Sequence, residues 1–170
     1  DKRIIFKSPS DYRRFTMLLY VSNSSSQSFR LDNLLHNQNK KFHDIFSLDR
    51  KERLISIGSW CLMPNHFHIL VRQNIDGGIT KFMQKLGTGY SMYFNIKYER
   101  QGALFGGPFK SKLIHEDDTY LKHLFGYINI NPLDIKFPDW ENSTKKYAGE
   151  MANFLADYSF SSYKDLTEGP

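Results

Sequence analysis

Cysteine and long apolar runs are the two features that this sequence has least of. Cys61 is the only cysteine among 170 residues, so the chain can form neither an internal disulfide nor a zinc cluster of several thiolates. The longest apolar runs contain only a handful of residues, whereas a membrane-spanning helix needs roughly 20. The N-terminus also lacks the apolar stretch of a signal peptide. We therefore expect a protein of the reducing cytoplasm that has no membrane partner.

Length and composition predict one compact domain over residues 1–170. A hydrophobic content of 40% is enough to bury a core in a chain of this size. The net charge of +5 is compatible with a polyanionic partner, because Lys and Arg neutralise phosphates. The ten Tyr and fourteen Phe could stack on unpaired bases, although most such rings fill protein cores. Composition alone leaves nucleic-acid binding open, since many basic proteins bind none.

Hydrophobic spacing and turn residues divide the chain into helices and short strands. The turn residues Pro64 and Asn65 separate two runs of strand-forming residues, which favours an antiparallel hairpin. Pro132 disfavours the helical conformation at Asn131, so the last clearly predicted helix ends there. The tail beyond Pro132 is turn-rich and weakly patterned, with one packed segment at 158–165. The predicted elements are helices over 12–21, 79–98 and 116–131, a short helix near residue 34 or at 42–46, a polar loop over 22–28, and strands over 53–63, 66–72 and 109–115.

His66 and His68 are the first candidates for chemistry. Residues two apart on a strand point to the same face, with Cα atoms roughly 6.5 Å apart, so both imidazoles could bind one metal ion. Phe67 lies between them and is expected to pack into the core from the opposite face, while the histidines line an open surface. The ordinary alternative is that His66 satisfies hydrogen bonds of the turn and His68 is a half-buried strand residue. A bare pair of this kind favours the ordinary alternative.

Tyr127 lies on the helix that is predicted to end before Pro132. A tyrosine that faces a sheet can attack a phosphodiester and form a phosphotyrosine link, which stores the energy of the broken bond without ATP. Taken alone, Tyr127 would more often be a core residue on an apolar stripe. Asn131 follows four residues later, near the same helix face, and offers an amide oxygen as a third ligand beside two imidazoles. Mg²⁺ or Mn²⁺ would suit such a site.

Three segments together resemble a known family, the HUH single-tyrosine transposases. The segment WCLMPNHFHIL at 60–70 closely resembles the signature of that family. The segments GALF at 102–105 and FKSKLI at 109–114 look like the loop and strand of that family, and YININP at 127–132 looks like its tyrosine helix. Their order and spacing also match. The segment FSSYKD at 160–165 resembles the closing motif of the branch associated with repetitive extragenic palindromes.

The resemblance implies an α+β fold, ferredoxin-like or RRM-like, in which helices pack mainly on one face of an antiparallel sheet. It implies metal-dependent cutting and joining of single-stranded DNA at hairpin or palindromic ends, by a monomer or a homodimer. His66 and His68 would bind the divalent ion, Mg²⁺ or Mn²⁺, and Asn131 stands where the family has its third polar ligand. Tyr127 would be the nucleophile and would remain attached to the 5′ phosphate, which frees a 3′ hydroxyl.

The sequence departs from the family pattern in three places. The family begins with a strand that precedes the segment equivalent to Arg3, so we expect the first N-terminal strand to be missing here. Pro108 stands where relatives commonly have Arg, which removes one phosphate contact. Gly126, directly before the tyrosine, is unusually small. For DNA contacts we name the basic residues Lys110, Lys112, Arg72, Lys81 and Lys85, each of which is alternatively a solvated surface residue.

Two other functions compete with a transposase. A domesticated protein on the same fold would bind DNA hairpins without cutting them, but the intact set of His66, His68, Tyr127 and Asn131 argues against this. A metal-dependent phosphodiesterase acting on RNA ends would need a second histidine pair on a neighbouring strand, and the sequence shows none. We therefore predict a transposase.

Overall fold

The fold is of the α+β class, with an antiparallel pair of strands. The computed structural model describes residues 3–25, 29–114 and 118–168, with the side chains of residues 118, 143 and 144 excepted. Two compact units are formed, one by Asp1–Ser56 and Val71–Lys110 and the other by Ile57–Leu70 and Ser111–Pro170. In chain order the elements are α1 (Pro9–Val21), a π-helical segment (Asn33–Asn37), α2 (Phe42–Phe46), β1 (Ile55–Met63), β2 (His66–Gln73), α3 (Gly78–Lys97), α4 (Asp118–Ile130), α5 (Leu133–Lys136), α6 (Trp140–Asp157) and α7 (Tyr163–Thr167).

The core of the first unit lies between α1 and α3. Phe82, Leu86, Tyr90 and Phe94 recur every four residues along α3 and are fully buried, so they form its inner face. Phe15 from α1 meets Tyr90 edge to face, with ring centroids 4.9 Å apart. Within the described ranges, none of the helices combines the length and apolar character that crossing a membrane requires.

A buried carboxylate fastens the start of α1. Asp11 accepts hydrogen bonds from the backbone N–H groups of Lys7 and Ser8 at 2.8 and 2.9 Å, and lies 2.6 Å from Lys97 Nζ. Burial by itself raises the pKa of Asp11, but hydrogen bonds from Lys97 and Tyr98 hold that pKa below its usual value. Asp11 is therefore charged at neutral pH and ties α1 to α3.

The loop after α1 is held in place by buried polar side chains that bind the backbone at residues 50 and 55. Asn23 is buried, and its amide donates to the Ile55 carbonyl at 2.9 Å and accepts from the Ile55 N–H at 3.0 Å. Ser24 is also buried and donates to the Arg50 carbonyl at 2.8 Å. The sequence predicted a loop over 22–28, of which residues 26–28 lie outside the described ranges. Asn23 and Ser24 can be buried in the interior because hydrogen bonds satisfy their polar groups.

The second unit contains the hairpin turn and the parts of β1 and β2 on either side of it. Pro64 and Asn65 form the turn between β1 and β2, as predicted. A segment that we call the closing segment, Phe160 to Ser162, lies antiparallel beside β1. The Leu62 N–H donates to the Phe160 carbonyl at 2.9 Å, and the Ser162 N–H donates to the Trp60 carbonyl at 2.9 Å. The closing segment therefore satisfies backbone groups on the edge of β1 that β2 does not reach.

The predicted strand over 109–115 is wrong for the residues that can be judged. Residues 109–114 form neither strand nor helix, and His115 lies outside the described ranges. Phe109 and Leu113 are 41% and 77% exposed. Their alternation resembles that of a strand, but a strand is stable only when its backbone pairs with a neighbour and one of its faces is buried.

The tail contains more helix than its weak pattern predicted. The helix α6 spans 18 residues, and a second apolar cluster forms where Met151 and Leu155 pack with Leu133 of α5. Tyr147 and Phe154 are partly buried against this cluster. The spacing of these apolar positions suits a helix, but they are few among many polar residues and therefore give a faint periodic signal.

Candidate functional site

The hairpin turn brings the ring nitrogens of two histidines together. His66 is the first residue of β2 and His68 follows on the same face, with their Nε2 atoms 3.1 Å apart. The two rings are nearly perpendicular, with centroids 4.8 Å apart. Two nitrogens bound to one ion at about 2.1 Å, at roughly a right angle, would be separated by about 3 Å. The pair thus has the spacing of two ligands that share a metal ion.

Asn65 orients the first of these rings. The Nδ1 of His66 lies 2.7 Å from Asn65 Oδ1, and a carbonyl oxygen can only accept, so His66 Nδ1 carries the proton. The Nε2 of His66 therefore presents a lone pair toward His68. Oxygen partners on the far ring nitrogen are the usual means by which proteins orient histidine ligands. Sequence reasoning assigned Asn65 to the turn alone, although its position directly before a candidate ligand was the available signal.

Both histidines are biased toward the neutral form that binds metals. Burial lowers the pKa of His66, and the negative charge of Asp134 opposes this only in part. Burial also lowers the pKa of His68, the positive form of His66 lowers it further, and a hydrogen bond with Asn131 acts in the opposite direction. Because each folded pKa lies below its usual value, both rings are neutral near pH 7, and each keeps one unprotonated ring nitrogen.

Asn131 follows the end of α4, and its side chain lies beside His68. The residue is buried, and its amide nitrogen donates to the Tyr127 carbonyl at 2.6 Å. A hydrogen bond also joins the Asn131 side chain to His68. Two imidazoles and one amide side chain therefore converge, and imidazole nitrogens with an amide oxygen are donors that suit a divalent ion. In the part of the chain that the structure describes, no group of three His, Cys, Asp or Glu side chains could hold a metal.

Tyr127 stands beside this group of donors. Its ring lies edge-on to His68, with centroids 6.1 Å apart, and the residue is 55% exposed. Tyr127 is thus not the core tyrosine that the ordinary alternative required. An added Cβ at Gly126 would meet nothing within 4 Å, so the small residue before the tyrosine leaves the surface open. The hydroxyl can be reached by a large substrate.

Packing beneath α4 explains why the tyrosine is placed here. Leu124 and Ile128 of α4 pack with Cys61 and Met63 of β1 and with Leu70 of β2. Because Leu70 shares its face with both histidines, that face is covered by α4 at one end and open only at the other. The sequence predicted that the histidine face of β2 would be open and that the Phe67 face would pack into the core. This prediction is wrong, because α4 covers part of the histidine face and Phe67 is only half-buried.

Cys61 has no chemical role in this cluster. The thiol is fully buried, and burial raises its pKa to about 12. A thiol that holds its proton is a poor nucleophile and a poor metal ligand. The reactive candidates in the second unit are thus the two histidines, Asn131 and Tyr127.

The five basic residues predicted to contact DNA have different surroundings. Lys110 and Arg72 are exposed, and Lys112 is exposed with its Nζ 3.1 Å from the Tyr120 hydroxyl. Lys81 and Lys85, one turn apart on α3, donate to the carbonyls of Ser25 and Ser24 at 2.9 and 2.7 Å. These two lysines therefore also stabilise the loop after α1. Contact with DNA stays a prediction for all five, and Lys110 and Lys112 do not lie on the strand that was expected.

A family model matches most of the chain. Residues 28–130, more than half of the chain, match the model described as transposase, IS200-like. The matched range contains both histidines and Tyr127 and ends one residue before Asn131. No curated protein and no solved structure matches the chain.

Proposed function

The chain belongs to the family of IS200-like transposases, and we propose that it cuts and rejoins single-stranded DNA through Tyr127. The observation that carries this proposal is the position of Tyr127 beside His68, whose Nε2 lies 3.1 Å from that of His66. Cleavage of a phosphodiester needs an accessible nucleophile and a means of stabilising charge on phosphate. An exposed phenol next to two converging neutral imidazoles supports both requirements.

We assign His66, His68 and Asn131 as the residues that would hold a divalent ion, Mg²⁺ or Mn²⁺. Such a set leaves coordination positions for phosphate oxygens and water. When bound, the ion polarises the scissile phosphate and stabilises the negative charge that develops there. Asn65 keeps the His66 ring in the tautomer that this binding requires.

The covalent step is an exchange of one phosphate ester for another. The Tyr127 oxygen forms a bond to phosphorus while the bond from phosphorus to the 3′ oxygen breaks. The phenolic proton passes to water, which reaches Tyr127 because the residue is 55% exposed, and the departing 3′ oxygen takes up a proton. The product is a 5′-phosphotyrosine. A second 3′ hydroxyl can attack this phosphorus and release Tyr127, so rejoining needs no ATP.

We propose hairpin or palindromic single-stranded DNA as the substrate. The net charge of +5 and the exposed Lys110, Lys112 and Arg72 support a nucleic-acid partner. The resemblance of residues 160–165 to the closing motif of the palindrome-associated branch supports hairpin ends in particular. The acting form is a monomer or a homodimer, which light scattering on the DNA complex would distinguish.

The test is formation of a covalent protein–DNA adduct. Labelled hairpin DNA incubated with the protein and Mn²⁺ should give an adduct that survives denaturing electrophoresis. Tyr127→Phe should abolish the adduct, because it removes only the attacking oxygen. Tyr147→Phe, a matched control on α6 in the same unit, should form it at the wild-type rate.

Two results would contradict the proposal in different ways. An adduct that persists in Tyr127→Phe would show that another residue is the nucleophile. Salt-dependent binding of the hairpin with no adduct in Mg²⁺ or Mn²⁺ would instead indicate a domesticated protein that grips structured DNA without cutting it.

A further inference from the structure

A closed ring of buried hydrogen bonds lies on the inner side of α4. Asn129, Ser59 and Ser162 are all nearly inaccessible to solvent and come from α4, β1 and the closing segment. Asn129 Nδ2 donates to Ser59 Oγ at 2.8 Å, and Ser162 Oγ lies 3.0 Å from Asn129 Oδ1. The two serine oxygens are 3.1 Å apart. The ring is therefore made of side chains from three separate elements.

Only one set of donors satisfies every group in this ring. Asn129 Oδ1 can only accept, so the Ser162 hydroxyl donates to it, and the Ser59 hydroxyl must then donate to Ser162. The second Asn129 N–H donates to the Phe125 carbonyl at 2.8 Å, and the Trp60 N–H donates to Ser162 Oγ at 3.0 Å. Bonds that run in one direction around a buried ring reinforce one another, and loss of one member leaves the others unsatisfied.

The ring holds the side of α4 that lies opposite the nucleophile. Residues two apart on an α-helix are separated by about 200°, so Asn129 faces inward while Tyr127 faces outward. Close packing adds to this restraint, since a Cβ at Gly58 would lie 3.2 Å from the Phe125 ring. Hydrogen bonds are directional, whereas the apolar contacts of Leu124 and Ile128 tolerate small rotations. The ring is therefore the part of the interface that defines the rotation of α4.

We propose that Asn129 is a positioning residue for Tyr127, and that the closing segment is needed for catalysis because it supplies Ser162. This inference rests on the proposed function of Tyr127. The family match ends at residue 130, so Ser162 lies outside the matched range. Small errors in the placement of a reacting group lower rates steeply, by about a hundredfold for 1 Å.

The experiment compares two neighbouring serines of the closing segment. Ser162→Ala breaks the ring, whereas Ser161→Ala removes a hydroxyl whose contacts are local, to Tyr158 and Tyr163. At saturating hairpin DNA and Mn²⁺, we expect Ser162→Ala to form the adduct at least about tenfold more slowly than Ser161→Ala. The DNA concentration for half-saturation and the Mn²⁺ affinity should be equal in the two variants. Ser59→Ala, which breaks the ring from β1, should slow the adduct in the same way.

A second readout does not depend on activity. Hydrogen exchange of the α4 amides, followed by mass spectrometry on the intact chain, should be faster in Ser162→Ala than in Ser161→Ala. Equal adduct rates in folded Ser162→Ala, Ser59→Ala and Ser161→Ala would overturn the inference, as would unchanged exchange in α4. If the wild-type protein forms no adduct at all, the proposed function fails, and hydrogen exchange still decides whether the ring holds the helix.

Discussion

Replacing Asn65 by Ala tests whether the histidine pair is arranged to bind a metal. The substitution removes the oxygen 2.7 Å from His66 Nδ1 and leaves all three candidate ligands in place. His66 is exposed and its ring otherwise contacts His68, so without Asn65 the ring can rotate or place its proton on Nε2. Removing such an outer partner typically weakens metal binding about 10- to 100-fold. This factor corresponds to about 1.4–2.7 kcal/mol of binding free energy.

The assay is titration of the protein with Mn²⁺, followed by electron paramagnetic resonance of the free ion. We expect the dissociation constant of Asn65→Ala to rise by about tenfold or more. Asn65→Asp is the matched control, because its carboxylate still accepts from His66 Nδ1 and should keep or raise the affinity. The φ angle of Asn65 is not positive, so Ala fits this position of the turn without backbone strain.

The proposed role of Asn65 can be contradicted by Mn²⁺ affinity alone. If Asn65→Ala binds Mn²⁺ as tightly as the wild type while Asn65→Asp binds no better, the hydrogen bond does not orient a ligand. Equal thermal unfolding of the two variants would show that the difference in Mn²⁺ affinity does not reflect loss of the turn. Loss of Mn²⁺ binding in His68→Ala would confirm that the titration reports on this site.

Buried and exposed charged groups, and the buried thiol, can be tested by three other measurements. Asp11→Asn should lower the free energy of unfolding in urea by about 3 kcal/mol at pH 7, because Lys97 loses its buried partner. The pKa of Asp11 in the folded protein lies below its usual value of 3.8, so ionised Asp11 stabilises the fold fully above that pH and loses this effect as pH falls through the folded pKa. The difference in unfolding free energy between Asp11→Asn and the wild type should therefore shrink in acid. A difference that stays constant with pH would contradict this. Lys112→Ala should reduce the slope of log DNA affinity against log salt concentration by about 1 on every hairpin sequence, whereas Lys145→Ala should leave the slope unchanged. Equal slopes for Lys112→Ala and the wild type would show that Lys112 does not contact the DNA. Native protein should resist iodoacetamide at pH 8, because Cys61 is buried with a pKa of about 12, and rapid alkylation would contradict that burial.

The hairpin and its histidines were accessible to sequence reasoning because they depend on local rules. A Pro-Asn turn between two strand-forming runs predicted β1 and β2, and alternation along β2 placed His66 and His68 on one face. The α+β class and the antiparallel pairing are confirmed. The helix before Pro132 was also predicted, and it ends at Ile130 because Pro132 restricts the residue before it.

The errors arose where a local pattern depended on distant partners. The alternation at 109–114 produced no strand, and α6 formed from a segment in which half of the residues are polar. Asn23 was assigned to a loop with nothing to bury, yet it is buried because both ends of its amide pair with the backbone of Ile55. Sequence position does not reveal such a partner 32 residues away.

Local sequence rules are enough to identify the available groups: two imidazoles on one strand face, one amide oxygen, a tyrosine on a helix, and a single thiol. The exposed position of Tyr127 beside His68 and the orientation of His66 by Asn65 became visible in the folded chain. The difference lies in how far apart along the chain the interacting residues are. Periodicity along an element is set by backbone geometry, but the rotation of α4 depends on packing and on a buried ring whose members are up to 103 residues apart.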